Sequence, residues 1–293
     1  MVKNNKIGII TGGTRGIGLG CAIKFAENGF DLLLAYNSND NIAEINKEKL
    51  EKKYNIKVLL SKGDLADENN INNIFKTIDN EYGNKTKINF IVHNAGLYLG
   101  ITTELDSDIA KDASKQFENP MIFGDGSFNL DFKRYDYYQN IYPKCFIRLI
   151  ETCIKDDRFI KEESHIVAIS SPGCNTNQTP REGYDLMGQG KTVIEYLVRY
   201  YSLRLATNGI NINSVIPGYV VTDAWKNVLF KDNYNIDDDK LLNSMESKLL
   251  NRCPMKKIIQ PTEIGELVYF LCSNLGKYIT GVSIPIDGGL HLK

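Results

Sequence analysis

The chain reads as a doubly wound α/β protein on a parallel sheet, in a single domain. Short, nearly continuous apolar runs of strand length alternate with stretches of helical period. Strands of that kind need no polar face, because helices cover the sheet on both sides. A glycine-rich turn also stands where the first strand meets the first helix.

In order, Ile7–Ile10 reads as a strand and Gly16–Asn28 as the helix that returns from it. Asp31–Tyr36 with Ile42–Tyr54, then Val58–Ser61 with Asn70–Tyr82, repeat the unit, and Ile88–His93 is the fourth strand. The stretch from about Gly100 to Phe132 is polar, with Asn119-Pro120 and Gly124-Asp125-Gly126 as turn signals. A loop that long within a domain reads either as a binding segment or as a surface insertion. Tyr135–Lys155 reads helical, Ile166–Ser170 as a strand, Met187–Thr207 helical and Ile210–Val215 as a strand. Thr262–Ser273 and Ser283–Asp287 complete the series. No repeat or low-complexity linker divides the chain. One domain is expected over 1–293, with an insertion at about 100–132 and a further loop at about 217–255.

Composition narrows the class. The 293 residues carry 35 Lys+Arg against 36 Asp+Glu, a net charge of -1, and 42% are hydrophobic. Such a chain has an ample core and no overall pull toward nucleic acid or an acidic membrane surface. The six cysteines (21, 145, 153, 174, 253 and 272) form no Cys-x-x-Cys pair and show no zinc-site spacing. They read as small buried hydrophobes kept reduced in a cytoplasm. No signal peptide and no run of about twenty apolar residues is present, so no membrane span is expected. His93, His165 and His291 are dispersed and read as satisfied structural histidines, with no metal expected. Asp237-Asp238-Asp239 reads as a solvated helix start.

The chemistry starts at Thr11-Gly12-Gly13-Thr14-Arg15-Gly16-Ile17-Gly18. Glycines at 12, 16 and 18 permit a tight turn, backbone approach to a pyrophosphate and close packing of helix on strand. The helix start then offers unpaired N–H groups and a positive dipole end to phosphate. The second strand ends in Tyr36-Asn37-Ser38, without the acid that takes ribose hydroxyls in NAD sites. Arg15 suits a 2′-phosphate, with Asn37 and Ser38 as hydrogen-bond partners, so NADPH is expected over NADH.

Taken together, these residues resemble the short-chain dehydrogenase/reductase family over nearly the whole chain. The resemblance rests on Thr11–Gly18, Asp64-Leu65, Asn94-Ala95-Gly96, Asn140, Ser170-Ser171, Pro217-Gly218 and Thr222. Ile279-Thr280-Gly281 and Asp287-Gly288-Gly289 extend it to the C-terminal end. It implies a Rossmann fold, with Asp64 and Leu65 on the adenine and Asn94, Ala95 and Gly96 closing the fourth strand beside the cofactor. Pro217, Gly218, Val220 and Thr222 would run past the nicotinamide, and Met187, Tyr219 and Trp225 would meet the substrate. It implies that Ser171 orients a substrate carbonyl, that Lys191 holds the nicotinamide ribose, and that Asn140 holds a water linking Lys191 to solvent. A homodimer or homotetramer, built on the helices around Asn140 and after Lys191, is implied as well.

One departure bears on the reaction. The family's usual acid is a tyrosine four residues before the lysine, and here that position is Met187. Tyr184 lies seven residues before Lys191, with Met187 between, which resembles the enoyl-thioester reductase branch. On a helix, steps of four and seven residues differ by about 60° and about 4.5 Å of rise, so both share a face with Lys191. A phenol displaced toward the helix start suits conjugate reduction, where charge collects on a thioester oxygen beyond the carbon that receives hydride. The leading expectation is an NADPH-dependent reductase of an acyl-thioester C=C. A carbonyl reductase is the alternative, because thirteen residues separate Ser171 from Tyr184 as in the family's ketoreductases. Cys174 replaces the second tyrosine of the main enoyl reductases, so the better match is the minority that keep an ordinary glycine motif. A catalytically idle dinucleotide-binding sensor or scaffold is the third reading, motivated by Met187.

Overall fold

Seven strands run parallel: β1 (Ile7–Thr11), β2 (Asp31–Tyr36), β3 (Val58–Lys62), β4 (Phe90–His93), β5 (His165–Ile169), β6 (Asn211–Pro217) and β7 (Ser283–Ile286). Their order in the sheet is β3-β2-β1-β4-β5-β6-β7. The computed structural model describes residues 6–96, 132–175, 178–179, 185–222 and 251–292. The chain works outward from β1 to β3, then crosses back to lay β4 beside β1. That reversal opens a crevice at the carboxyl ends of β1 and β4, where ligands of such sheets bind.

Alternate residues of each strand enter opposite cores, which is why the strands read as unbroken apolar runs. Ile9, Leu33, Ile91, Ile166 and Ile212 pack under α3 (Glu68–Tyr82), α5 (Cys145–Lys155) and α6 (Asp185–Leu205). Ile10, Leu32, Leu34, Val92, Val167 and Val215 pack under α1 (Gly16–Glu27), α2 (Asp40–Tyr54) and α7 (Pro261–Leu271). All six cysteines are buried and none is in a disulfide. Among the described residues no helix is long and apolar enough to cross a membrane.

Two sequence expectations change. Tyr135–Lys155 is not one regular helix: α4 (Phe132–Gln139) joins α5 through a π-helical turn at Asn140–Lys144. Pro143 lies inside that turn, where its missing N–H and its ring prevent ordinary helical bonding. Two histidines are not satisfied: His93 Nε2 and His165 Nδ1 are buried without a hydrogen-bond partner. The insertion expected at 100–132 lies almost wholly outside the described residues, as do Asp237–Asp239.

Burial pushes His93 from 6.5 down to about 3, helped by the charge of Lys191, and pushes His165 down to about 4. Both stay neutral in the fold at pH values where the unfolded chain protonates them. The unfolded state therefore binds more protons between about pH 4 and 6.5, and stability rises with pH across that window. Acidification below pH 6.5 should cost at most about 1.4 kcal/mol per pH unit for each histidine. Thermal unfolding of His165→Phe at pH 7 and pH 5 checks this. Its Tm should fall less on acidification than the wild type's, and an equal fall would contradict the assignment.

Candidate active site

The turn after β1 is held from three sides. Asn94 Nδ2 donates to the carbonyls of Thr11 and Gly12 at 3.2 and 3.0 Å. The backbone N–H groups of Asn94 and Ala95 donate to Thr11 Oγ1 at 3.0 and 2.9 Å. With both acceptor positions of that hydroxyl occupied, its proton points to His93 Nδ1 at 3.2 Å, which leaves the ring proton on Nε2. Asn46 of α2 donates to the Thr14 carbonyl at 2.9 Å.

Gly12 is left-handed at φ +62°, and a Cβ on Gly18 would lie 2.0 Å from the Gly12 carbonyl oxygen and 2.7 Å from Asn94 Nδ2. The turn thus folds back onto the first turn of α1 with no space for a side chain. Arg15 is the N-cap residue of α1, its side chain makes no capping bond, and the first turn holds no acid. The N–H groups from Gly16 through Ile17 to Gly18 form an open positive helix end. A methyl on Gly16 would touch Thr222 Cγ2 at 3.4 Å, so the segment leaving β6 comes alongside the turn. These residues fit a dinucleotide pyrophosphate: a cradle closed to side chains, with backbone donors at a helix start.

No acid follows β2 directly, and Asp40, the first residue of α2, turns its carboxylate to Tyr36 at the end of that strand. Tyr36 donates its phenol proton to Asp40 Oδ1 at 2.9 Å, and Lys62 Nζ donates to Asp40 Oδ2 at 2.7 Å. Those bonds hold the Asp40 carboxyl below its usual range, and burial followed by the Asp40 bond pushes Tyr36 up to about 12. Asn37 is exposed and Ser38 half-buried. Asp64 turns its carboxylate inward, accepting from Ala66 N at 2.9 Å and from the Tyr137 hydroxyl at 3.4 Å, beside buried Leu65.

Lys191 sits deep at the end of β5. Its Nζ donates to the carbonyls of Ile169 and Ser170 at 3.1 and 3.4 Å and lies 5.3 Å from the Tyr142 ring centroid. Burial lowers its pKa, while Cys174 and Glu195 act to raise it. Ser170 is not available as a second active-site hydroxyl, because it donates to Glu195 and both are buried. Ser171 follows at the strand exit, half-buried, and its carbonyl accepts from Cys174 N at 3.3 Å. Met187 is buried. Asn140 opens the π-turn, half-buried, and Tyr142 of that turn packs on Gly96.

Pro217 ends β6, Gly218 N donates to Ile286 O at 2.9 Å, and Tyr219 and Val220 are buried beside the bridge to Ile259. Lys191, Ser171, Asn140, the glycine turn and the β6 exit therefore share one edge of the sheet. Tyr184 and Trp225 lie outside the described residues. The seven-residue step to Lys191 is helical from Asp185 onward.

Sequence reasoning missed Glu195, Tyr142, Asp40 and Lys62. Glu195 had a signal: it lies one helical turn after Lys191 and shares its face. Tyr142 had none, because the π-turn decides where it points.

Residues 6–123 match the family model described as short chain dehydrogenase, and residues 123–291 match one described as enoyl-(acyl carrier protein) reductase. The chain belongs to the short-chain dehydrogenase/reductase family and is a nicotinamide-dependent oxidoreductase of that family. It is 24% identical to the 3-oxoacyl-(acyl-carrier-protein) reductase FabG of Staphylococcus epidermidis, over 98% of this chain and 100% of the relative. It is 26% identical to the sorbose reductase SOU1 of Candida albicans, over 97% of this chain and 86% of the relative. Among solved structures, the L-sorbose reductase of Gluconobacter frateurii, complexed with NADPH and L-sorbose, superposes with a TM-score of 0.77 at 18% identity. That match covers 99% of this chain and 97% of the other.

Proposed function

We propose that this chain is an NADPH-dependent carbonyl reductase that converts a ketone to an alcohol. Ser171 carries the choice: it stands one residue beyond the carbonyl that Lys191 holds. A hydroxyl there suits an oxygen bonded directly to the carbon that receives hydride, whereas a C=C offers no such oxygen at that carbon. The names of the 3-oxoacyl and sorbose reductases support the same choice.

The glycine turn, with Thr11, Gly12, Thr14, Gly16, Ile17 and Gly18, would hold the pyrophosphate. Arg15, Asn37 and Ser38 would meet the 2′-phosphate beside Tyr36, and Asp64 and Leu65 the adenine. Asn94, Ala95 and Gly96, with Pro217, Gly218, Val220 and Thr222, would flank the nicotinamide. NADPH, when bound, supplies the hydride.

Tyr184 gives its proton to the alkoxide oxygen as negative charge grows there, and Ser171 donates a hydrogen bond to the same oxygen. Lys191, desolvated and so poorly screened, favours the phenolate and makes that proton easier to release. Asn140 holds a water that returns a proton from solvent. The balance is ketone, NADPH and one proton to alcohol and NADP. Met187, Tyr219 and Trp225 would line the substrate side.

Reduction of an enoyl thioester is the second reading, favoured by the Tyr184–Lys191 step and by the family description matched at 123–291. Purified protein, followed by NADPH consumption on 3-oxoacyl thioesters, ketoses and enoyl thioesters, separates the two. Ketone turnover exceeding enoyl turnover is expected. Brisk enoyl turnover with none on ketones would overturn the proposal, and NADPH binding without any turnover would favour the idle scaffold.

Self-association belongs to the same proposal. Val193, Tyr196, Tyr200 and Leu203 are exposed along one stripe of α6. Tyr201, on the same helix, is buried and donates its hydroxyl to Glu151 Oε1 at 2.7 Å.

A further inference from the structure

At the adenosine end of the crevice, a carboxylate and an ammonium meet over a tyrosine. Tyr36 ends β2 and Lys62 ends β3, and the two pair in register, so their side chains leave the same face of the sheet. Gly63 N donates to the Tyr36 carbonyl at 2.8 Å, which fixes the two strand ends together. Asp40 opens α2 about 20 residues beyond the glycine turn, the distance at which an acid of this fold takes the adenosine ribose. Both of its oxygens are already engaged, one by the Tyr36 phenol and one by Lys62. The Lys62 and Asp40 side chains remain 55% and 61% exposed, so the ion pair lies open to an incoming ligand.

Resting on the NADPH reading above, we propose that Lys62 is a cofactor-specificity residue whose ammonium leaves Asp40 for the 2′-phosphate of NADPH. Exchange of a carboxylate for a phosphate keeps the lysine paired throughout, and the phosphate carries more charge than the carboxylate it replaces. Asp40 stays on Tyr36 when Lys62 turns away. Without Lys62, the same acid would face the 2′-phosphate as a like charge and offer an acceptor to the 2′-hydroxyl of NADH. A single cation thus does two things: it attracts one cofactor and masks the group that would favour the other.

The test compares wild type, Lys62→Ala, Asp40→Asn and the double variant by kcat/KM with NADPH and with NADH. Calorimetric binding of adenosine 2′,5′-bisphosphate and of adenosine 5′-monophosphate to each protein accompanies it. Lys62→Ala should lower the NADPH-to-NADH ratio by at least about 10-fold and weaken the bisphosphate, while the monophosphate is unaffected. Asp40→Asn should raise the ratio. The double variant should recover part of the Lys62→Ala loss, because the repelling acid is gone. If wild type prefers NADPH and Lys62→Ala leaves both the ratio and the bisphosphate affinity unchanged, the inference is overturned and the cofactor reading stands. If wild type prefers NADH and binds the bisphosphate no better than the monophosphate, the cofactor reading fails and the inference with it.

Discussion

Tyr184→Phe is expected to lower kcat by about 100- to 10,000-fold, the usual contribution of a positioned proton donor. The Kd for NADPH should hold steady, because the phenol acts on the substrate and the cradle does not use it. The prediction is demanding, because Met187, the residue at the family's usual acid position, is buried and has no proton to give. Lys191 has no other phenol placed by the family pattern to act upon, although Tyr142 lies beneath its ammonium with the ring centroid at 5.3 Å. A Tyr142→Phe protein separates the two. It keeps the ring under the cation and should keep most of the turnover, whereas Tyr184→Phe should not. Stopped-flow single turnovers with saturating NADPH would read both. Equal turnover of ketones by Tyr184→Phe and wild type would contradict the role of Tyr184 as proton donor.

Gly18→Ala should damage cofactor binding most. A methyl there would lie 2.0 Å from the Gly12 carbonyl oxygen, a backbone atom with nowhere to retreat. It would also press on Asn94 Nδ2, the donor that holds Thr11 and Gly12 in place. Relief must move the turn away from α1, which misaligns the N–H groups meant for the pyrophosphate. The overpacking should cost about 1–3 kcal/mol of stability, and the Kd for NADPH should rise by about 10-fold or more. Calorimetric titration with NADPH, together with a thermal melt, measures both. A variant that binds NADPH as tightly as wild type would contradict the placement of the phosphate site.

The parts of the site legible in the sequence are those fixed by local backbone demands. Thr11–Gly18 declared itself because only glycines satisfy a left-handed turn and a helix packed onto its own strand. The strands were legible because burial on both faces leaves unbroken apolar runs. What escaped were contacts made across elements. Asp40 carried no sequence reading, and the start of α2 beside the ends of β2 and β3 brings it to Tyr36 and Lys62. Asn140 was placed on a regular helix, yet Pro143 forces a π-turn there and thereby lays Tyr142 beneath Lys191. Ser171 was the serine that the family resemblance picked, and no reading was made of what holds Ser170. The buried Glu195, one turn beyond Lys191, takes the Ser170 hydroxyl. The sheet also buries His93 and His165 beyond reach of full hydrogen bonding, which no local pattern announces.

Isotope transfer probes the chemistry most directly. Purified protein would be given a 3-oxoacyl thioester or a ketose with NADPH deuterated in turn at each C4 position, and the product analysed by mass spectrometry. Deuterium should arrive from one of the two labelled forms only, and should lie on the carbon that bears the new hydroxyl. Label appearing solely on the β carbon of a saturated thioester made from an enoyl substrate, with ketones left unlabelled, would contradict carbonyl reduction.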